Sequence, residues 1–143
     1  MDVPVNYWAI LACGVASMII GSIWYGPLFG KIWAKLSGWD NLDTAKRDEM
    51  KKGMMKSYAL AFIGALVMAY VLSHHTVFAG TYLKTEGISA GLQSGFWVWL
   101  GFVVPVTMSD VLWGAKSWKL WSINTFYFLV QLLVFGLILG GWR

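Results

Sequence analysis

Charged residues are scarce in this sequence of 143 residues. Only 13% of its residues are charged and 58% are hydrophobic, whereas soluble domains carry about 25% charged residues. So little polar surface cannot cover a folded chain in water, which argues against a soluble globular domain. The sequence therefore predicts a chain that folds in lipid, and its length is that of a single domain, residues 1–143.

Cysteine and histidine are almost absent. Cys13 is the only cysteine, so the sequence excludes intramolecular disulfides and thiolate metal clusters. The two histidines, His74 and His75, are adjacent, and neighbouring side chains on a helix point about 100° apart, so they do not chelate one ion together. We predict no metal and no cofactor, and we give His74, His75 and Asp110 at most a response to pH or to a metal.

A catalytic constellation is also missing from the sequence. The residues offer no paired intramembrane carboxylates, no nucleophile with a base and no phosphate-binding glycine loop. Asp110 follows the third apolar run, where it either caps a helix or pairs with Lys116. We therefore expect a protein that is not an enzyme.

Long apolar runs are what the sequence has instead. A spanning helix needs about 20 mostly apolar residues, and four runs qualify, at residues 5–25, 58–78, 89–108 and 120–140. The third contains Pro105, which we expect to kink it or end it early. The runs predict an all-α fold, an integral membrane four-helix bundle.

Small residues recur every four positions in all four runs, which is the spacing that close helix packing in lipid requires. They are Ala9, Cys13, Ser17 and Gly21 in the first, Ser57, Ala61, Ala65, Ala69 and Ser73 in the second, Gly87, Gly91 and Gly95 in the third, and Gly136 and Gly140 in the fourth. The pattern favours a tightly packed bundle, and one of these stripes is available for self-association.

Basic residues are unevenly divided between the loops. Nine lie in the first and third loops, at Lys31, Lys35, Lys46, Arg47, Lys51, Lys52, Lys56, Lys116 and Lys119, and two lie elsewhere, at Lys84 and Arg143. Because basic loops stay in the cytoplasm, this predicts a multi-pass protein of the bacterial inner membrane with both termini outside. Acidic residues share the first loop, so its charge indicates lipid headgroups as partners and no nucleic acid.

The loop at residues 29–56 begins with an amphipathic pattern. Phe29, Ile32, Trp33 and Leu36 recur at helical spacing, which predicts a short interfacial amphipathic helix between spans one and two. Gly38 is expected to end it, and Asp43 to cap a second helix that leads into span two. We interpret Trp24, Tyr25, Phe29, Lys31 and Trp33 as an interfacial elbow at which the chain leaves the membrane.

Three of the polar residues within the predicted spans are candidates for a functional site. Asn6 begins the first span, and Asn124 and Gln131 are seven residues apart on one face of the fourth. Polar groups inside a bilayer are costly and so mark candidate functional sites. Two interpretations are open: the residues line a polar path, or they form hydrogen bonds that hold neighbouring helices together.

The two ends of the sequence carry a family resemblance. The segments NYWAILACGVASMIIGSIWYGPLFGKIWAKLSGW and LWSINTFYFLVQLLVFGLILGGW resemble the opening and closing parts of the bacterial membrane family catalogued as domain of unknown function 1761. Asn6, Trp24-Tyr25, Phe29-Gly30-Lys31 and Trp33 carry the resemblance most specifically. It implies a small four-span membrane protein, and it implies no catalytic residue.

These observations favour permeation of a small solute or ion, through an oligomer or along a polar helix seam. A homo-oligomer is expected because one small bundle encloses little space. The alternative is a non-transporting accessory or scaffold protein that binds lipid or a partner through its basic loop.

Overall fold

The structure is a computed structural model that describes residues 3–142. Four helical segments are long and apolar enough to cross a membrane: Tyr7–Leu28, Met54–Leu83, Gly87–Leu112 and Trp118–Gly141. The predicted all-α fold with four such spans is confirmed. The segments extend beyond the apolar runs because helical hydrogen bonding continues past polar residues such as Lys56 and Lys119.

The spans and the loops between them contain eight α-helices and several tighter or wider turns. The first span is α1 (Tyr7–Ile23) with a π-helical turn (Trp24–Leu28), and the loop after it holds α2 (Gly30–Leu36), a 3-10 turn (Trp39–Asn41) and α3 (Thr44–Lys52). The second span is α4 (Met54–Leu83). The third is α5 (Gly87–Val98), a π-helical turn (Trp99–Val103), α6 (Val104–Thr107) and α7 (Ser109–Leu112), and the fourth is α8 (Trp118–Gly141).

Both prolines within the spans accompany a π-helical turn. Pro27 lies inside the turn Trp24–Leu28, and Pro105 is the second residue of α6, directly after the turn Trp99–Val103. Proline has no N–H, and wider turns of this kind absorb interruptions of the α-helical ladder. Pro105 therefore interrupts the third span, as expected, but the span continues to Leu112.

The loop after the first span follows the predicted signals. Gly38 ends the α2 region in the left-handed conformation, with φ of 82°, and Asp43 caps α3 by accepting a hydrogen bond from the backbone N–H of Lys46 at 2.8 Å. Gly53 then separates α3 from α4. The helix α2 exists where an amphipathic helix was predicted, and its position in the headgroup plane stays a prediction.

The bundle has two distinct ends, which we call the terminal end and the basic end. The terminal end holds the first and last described residues, because the Asn6 side chain donates a hydrogen bond to the Trp142 carbonyl at 3.2 Å. The basic end holds the loops at residues 29–53 and 113–117, with most of the lysines.

The helices α5 and α8 pack most extensively, and they do so backbone to backbone. A Cβ atom added to Gly91 would overlap the Gly136 carbonyl oxygen, and one added to Gly136 would overlap that of Gly91. Gly95 and Gly140 face the backbones of Leu132 and Gly87 in the same antiparallel register. The glycine stripes predicted for close packing therefore meet each other.

The apolar core lies between α1, α4 and α8. Ala9, Cys13, Ala69 and Phe135 are fully buried there, so these parts of the first two small-residue stripes also face inward. The second stripe behaves differently near the basic end, where Ser57 and Ala61 are exposed. The bundle is therefore closed toward the terminal end and splayed at the start of α4.

We expect Gly91→Ala to lower the free energy of unfolding by about 2 kcal/mol or more, because the added methyl group forces two helix backbones apart. Gly64→Ala is the matched control, since a Cβ there meets nothing within 4 Å. Denaturant unfolding in mixed micelles, followed by circular dichroism, measures both. Equal stability of the two variants would contradict the backbone contact.

Candidate functional site

The polar residues singled out in the spans lie along one seam, between α1 and α8. Asn6 contacts Trp142 at the terminal end, Gln131 donates to the Ser17 hydroxyl at 2.7 Å, and Asn124 accepts from the Tyr25 hydroxyl at 2.9 Å. At 1.5 Å per residue, the rise from Asn6 to Tyr25 is about 29 Å, close to the thickness of a hydrocarbon core. The seam thus carries a polar pair at each end and another between them.

Asn6 has a structural task as well. Its side-chain oxygen accepts hydrogen bonds from the backbone N–H groups of Trp8 and Ala9, at 3.0 and 3.2 Å, and so caps α1. The amide nitrogen is then free to reach α8. This one side chain both begins the first span and attaches it to the last.

The middle pair is the most deeply buried. Gln131 and Ser17 are each 2% exposed, and the Gln131 Oε1 atom has no hydrogen-bond partner among the described residues. Exchanging the two amide atoms would satisfy the oxygen and leave the nitrogen without a partner instead. An unpaired buried polar group costs about 1–3 kcal/mol, so Gln131 is more polar than packing of α1 against α8 requires.

The predicted elbow residues assemble around the pair at the basic end. The Tyr25 ring lies edge-on to Trp33 at 6.0 Å and 5.2 Å from the Tyr127 ring, and Trp24 lies 4.7 Å from Phe29. The Trp24 indole donates to the Ile123 carbonyl at 2.9 Å. Trp24 and Tyr25 thus bind α8 directly, while Lys31 stays exposed.

An open groove runs along the seam on the side of α4. Its volume is about 790 Å³, and it is lined by Ser17, Met18, Gly21, Ser22, Tyr25, Gly26, Tyr58, Ala61 and Tyr127. It exists because α4 is splayed from the bundle in this region. The wall is mainly apolar, with hydroxyl groups from serine and tyrosine at intervals, and the Ser17–Gln131 pair lies at its deep end.

Apolar packing separates this groove from a recess at the terminal end. We call Cys13, Ala69, Leu132 and Phe135 the plug; each is at most 2% exposed. Beyond the plug, a recess of about 10 Å³ is lined by polar residues, including Asn6, Ser73 and Thr76. Such a volume is close to that of one water molecule.

Several polar contacts on the other face of α8 were not predicted from sequence. The Trp99 indole donates to the Thr125 carbonyl at 2.8 Å, the Thr107 and Thr125 hydroxyls are 3.0 Å apart, and the Trp121 indole donates to the Thr107 hydroxyl at 3.0 Å. The sequence alone could have indicated the first of these contacts. Pairing Gly91 with Gly136 in an antiparallel register brings Trp99 within about one helical turn of Thr125. Ser17, the partner of Gln131 in the seam, gave no comparable signal.

The remaining candidates do not join the seam. The His74 Nδ1 atom is 2.9 Å from the Tyr70 carbonyl oxygen, and the His75 Nδ1 atom is buried without a partner among the described residues. At the basic end, Asp110 pairs with Lys116 at 3.5 Å, one of the two arrangements considered above. Within residues 3–142, no three His, Cys, Asp or Glu side chains lie together as a metal site would require.

Comparison with known proteins gives one match. The model of the family described as "Protein of unknown function (DUF1761)" matches residues 8–140. Neither the curated proteins nor the solved structures give a match. Because the matched region covers nearly all of the chain, including the groove and two of the three polar pairs of the seam, this protein belongs to the DUF1761 family.

Proposed function

We propose that this protein passes a small solute or ion across the bacterial inner membrane along the α1–α8 seam, as a homo-oligomer and without enzymatic activity. One observation carries the proposal: polar pairs occur at both ends and in the middle of one helix seam, and the middle pair keeps an unpartnered amide atom. Simple helix attachment would favour a pair whose polar atoms are all satisfied.

The groove and the plug give this path two parts. The groove admits a solute from the basic end as far as Ser17 and Gln131, and the plug closes the remaining distance to the terminal recess. In this proposal the described conformation is the closed one, and conduction requires the buried rings and methyl groups of the plug to separate. Hydrophobic constrictions gate channels in the same way, by excluding water.

Oligomerisation and orientation belong to the same proposal. The groove is open on one side, so a second copy packed against the start of α4 would enclose it from lipid. The excess of basic residues in the first and third loops, nine against two elsewhere, supports an orientation with the basic end in the cytoplasm and both termini outside. The groove then opens toward the cytoplasm.

A second candidate is the accessory or scaffold role, in which the basic loop binds lipid or a protein partner. It is favoured by α3, which has no buried residue and carries Lys46, Arg47, Lys51 and Lys52 on a capped helix outside the bundle. This role requires no flux, so the transport measurements below distinguish it from permeation.

Replacing the polar groups of the seam should reduce flux. We expect Gln131→Leu and Asn124→Leu to lower solute or ion flux into proteoliposomes at least tenfold. A leucine at either position raises the free energy of a polar solute at that point of the path by more than about 1.4 kcal/mol, which corresponds to a factor of ten. Gln93→Leu is the matched control, since Gln93 bonds only to Ser89 on its own helix. Absence of flux in the wild-type protein, for all ions and small solutes tested, would exclude permeation.

Thinning the plug should have the opposite effect. Phe135→Ala removes the largest fully buried side chain, so we expect faster flux through the same proteoliposomes, with a stability cost of about 3–5 kcal/mol. Phe126→Ala is the control, because Phe126 is 44% exposed on the outer surface of α8. Phe135→Leu removes less volume and serves if the alanine variant does not fold. Unchanged flux in a folded Phe135 variant would contradict the gate.

A further inference from the structure

We propose that a second cavity, between the two basic loops, is a binding site for a phosphate group. The cavity has a volume of about 630 Å³ and lies at the basic end, bounded by the end of α2 and the start of α8. It is distinct from the groove, and it brings together residues that are about 80 positions apart in the chain, Lys35 and Lys116.

The charge of the cavity is one-sided. Lys35 and Lys116 both line it, and its lining includes no aspartate or glutamate. Asp110 contacts Lys116 at 3.5 Å, but both side chains are about half exposed, so solvent screens that pair strongly. Two lysines that line one cavity favour an anion with several acceptor oxygens, as a phosphate group has.

Neutral donors surround the two lysines. Ser117 and Asn124 line the cavity and carry a hydroxyl and an amide group, whereas the Ser37 hydroxyl already donates to the Ala34 carbonyl at 3.5 Å. The Asn124 oxygen already accepts from Tyr25, which leaves its amide hydrogens to face an anion. The Ser117 hydroxyl accepts from the Leu120 N–H at 3.1 Å, and its own hydrogen is available to donate.

The backbone holds these groups in place through two left-handed residues. Gly38 has φ of 82° and Ala115 has φ of 56°, and both line the cavity. The left-handed conformation is unfavourable for alanine, yet at Ala115 it turns the chain directly before Lys116. The Lys116 N–H then donates to the Asp110 carbonyl at 3.1 Å, which closes the turn.

The floor of the cavity is apolar, with Trp33, Leu36 and Leu120 among its lining. A phosphate that belongs to a lipid headgroup would place its glycerol and first methylenes on these side chains, whereas free phosphate would use only the polar rim. Both sources share the chemistry that the lysines recognise, so the experiment separates them. The cavity adjoins the groove through the Asn124–Tyr25 pair, but phosphate binding does not depend on the proposed flux.

The test uses the full chain purified in a neutral detergent. Native mass spectrometry measures retention of phosphatidylglycerol against phosphatidylcholine, and calorimetry measures binding of inorganic phosphate and glycerol 3-phosphate. We expect the double variant Lys35→Gln/Lys116→Gln to weaken binding of the phosphate-bearing anion about tenfold or more, because each lost charge-assisted contact contributes substantially to affinity. Preference for the lipid alone or for the soluble anions identifies the source.

The matched control is Lys51→Gln/Lys52→Gln. It removes the same charge from the same end of the protein, at exposed positions of α3 that do not line the cavity. The control should change affinity less than twofold. Equal losses in the two double variants would overturn the site and indicate diffuse attraction of the basic loops. A wild-type protein that binds none of phosphatidylglycerol, inorganic phosphate and glycerol 3-phosphate would also overturn the site.

Two further variants separate binding from folding and from transport. Lys35→Arg/Lys116→Arg should retain binding, and Asp110→Asn should strengthen it, a gain that misfolding does not produce. Weaker binding in Asp110→Asn would overturn the proposed geometry. None of these measurements involves flux, so phosphate binding without flux overturns only the proposed function, and flux without phosphate binding overturns only this inference.

Discussion

The contact between the backbones of α5 and α8 fixes the position of everything else in the bundle. Gly91 and Gly136 meet without side chains between them, and Gly95 and Gly140 extend the same register. Since lipid gives little hydrophobic reward for helix association, such close approach is a main source of packing energy. It sets the rotation of α8, and the opposite face of α8 must then present Asn124 and Gln131 to α1.

The bundle therefore divides into a tightly packed half and an open half. The third and fourth spans are held by glycine contacts and by the bonds among Trp99, Thr107, Trp121 and Thr125. The first and second spans contribute alanine and cysteine side chains to the core instead of a glycine contact between backbones, and they pack closely only toward the terminal end. Beside the groove, no residue of α4 before Ala65 is buried, and both proposed sites adjoin α8.

Sequence reasoning reached the level of single helices and their faces. Apolar length gave the four spans, four-residue spacing gave the glycine stripes, and the separation of Asn124 and Gln131 placed them on one face. The sequence did not identify the hydrogen-bond partners of Asn124 and Gln131. Periodicity describes the faces of one helix, and the partners Tyr25 and Ser17 belong to another span. The open start of α4 was also beyond reach, since Ala61 and Ala65 share one stripe and differ only in what the neighbouring helices leave uncovered. Their basic charge put the two loops of the basic end on one side of the membrane, but it did not show that Lys35 and Lys116 line one cavity.

Cys13 has a consequence of its own. It is the only thiol in the chain, and it is fully enclosed within the plug. The sequence thus contains a single thiol inside the plug, which water reaches only when the buried side chains around it separate. Its rate of alkylation by a small water-soluble reagent measures how often the core opens, and no engineered cysteine or background correction is needed to read it.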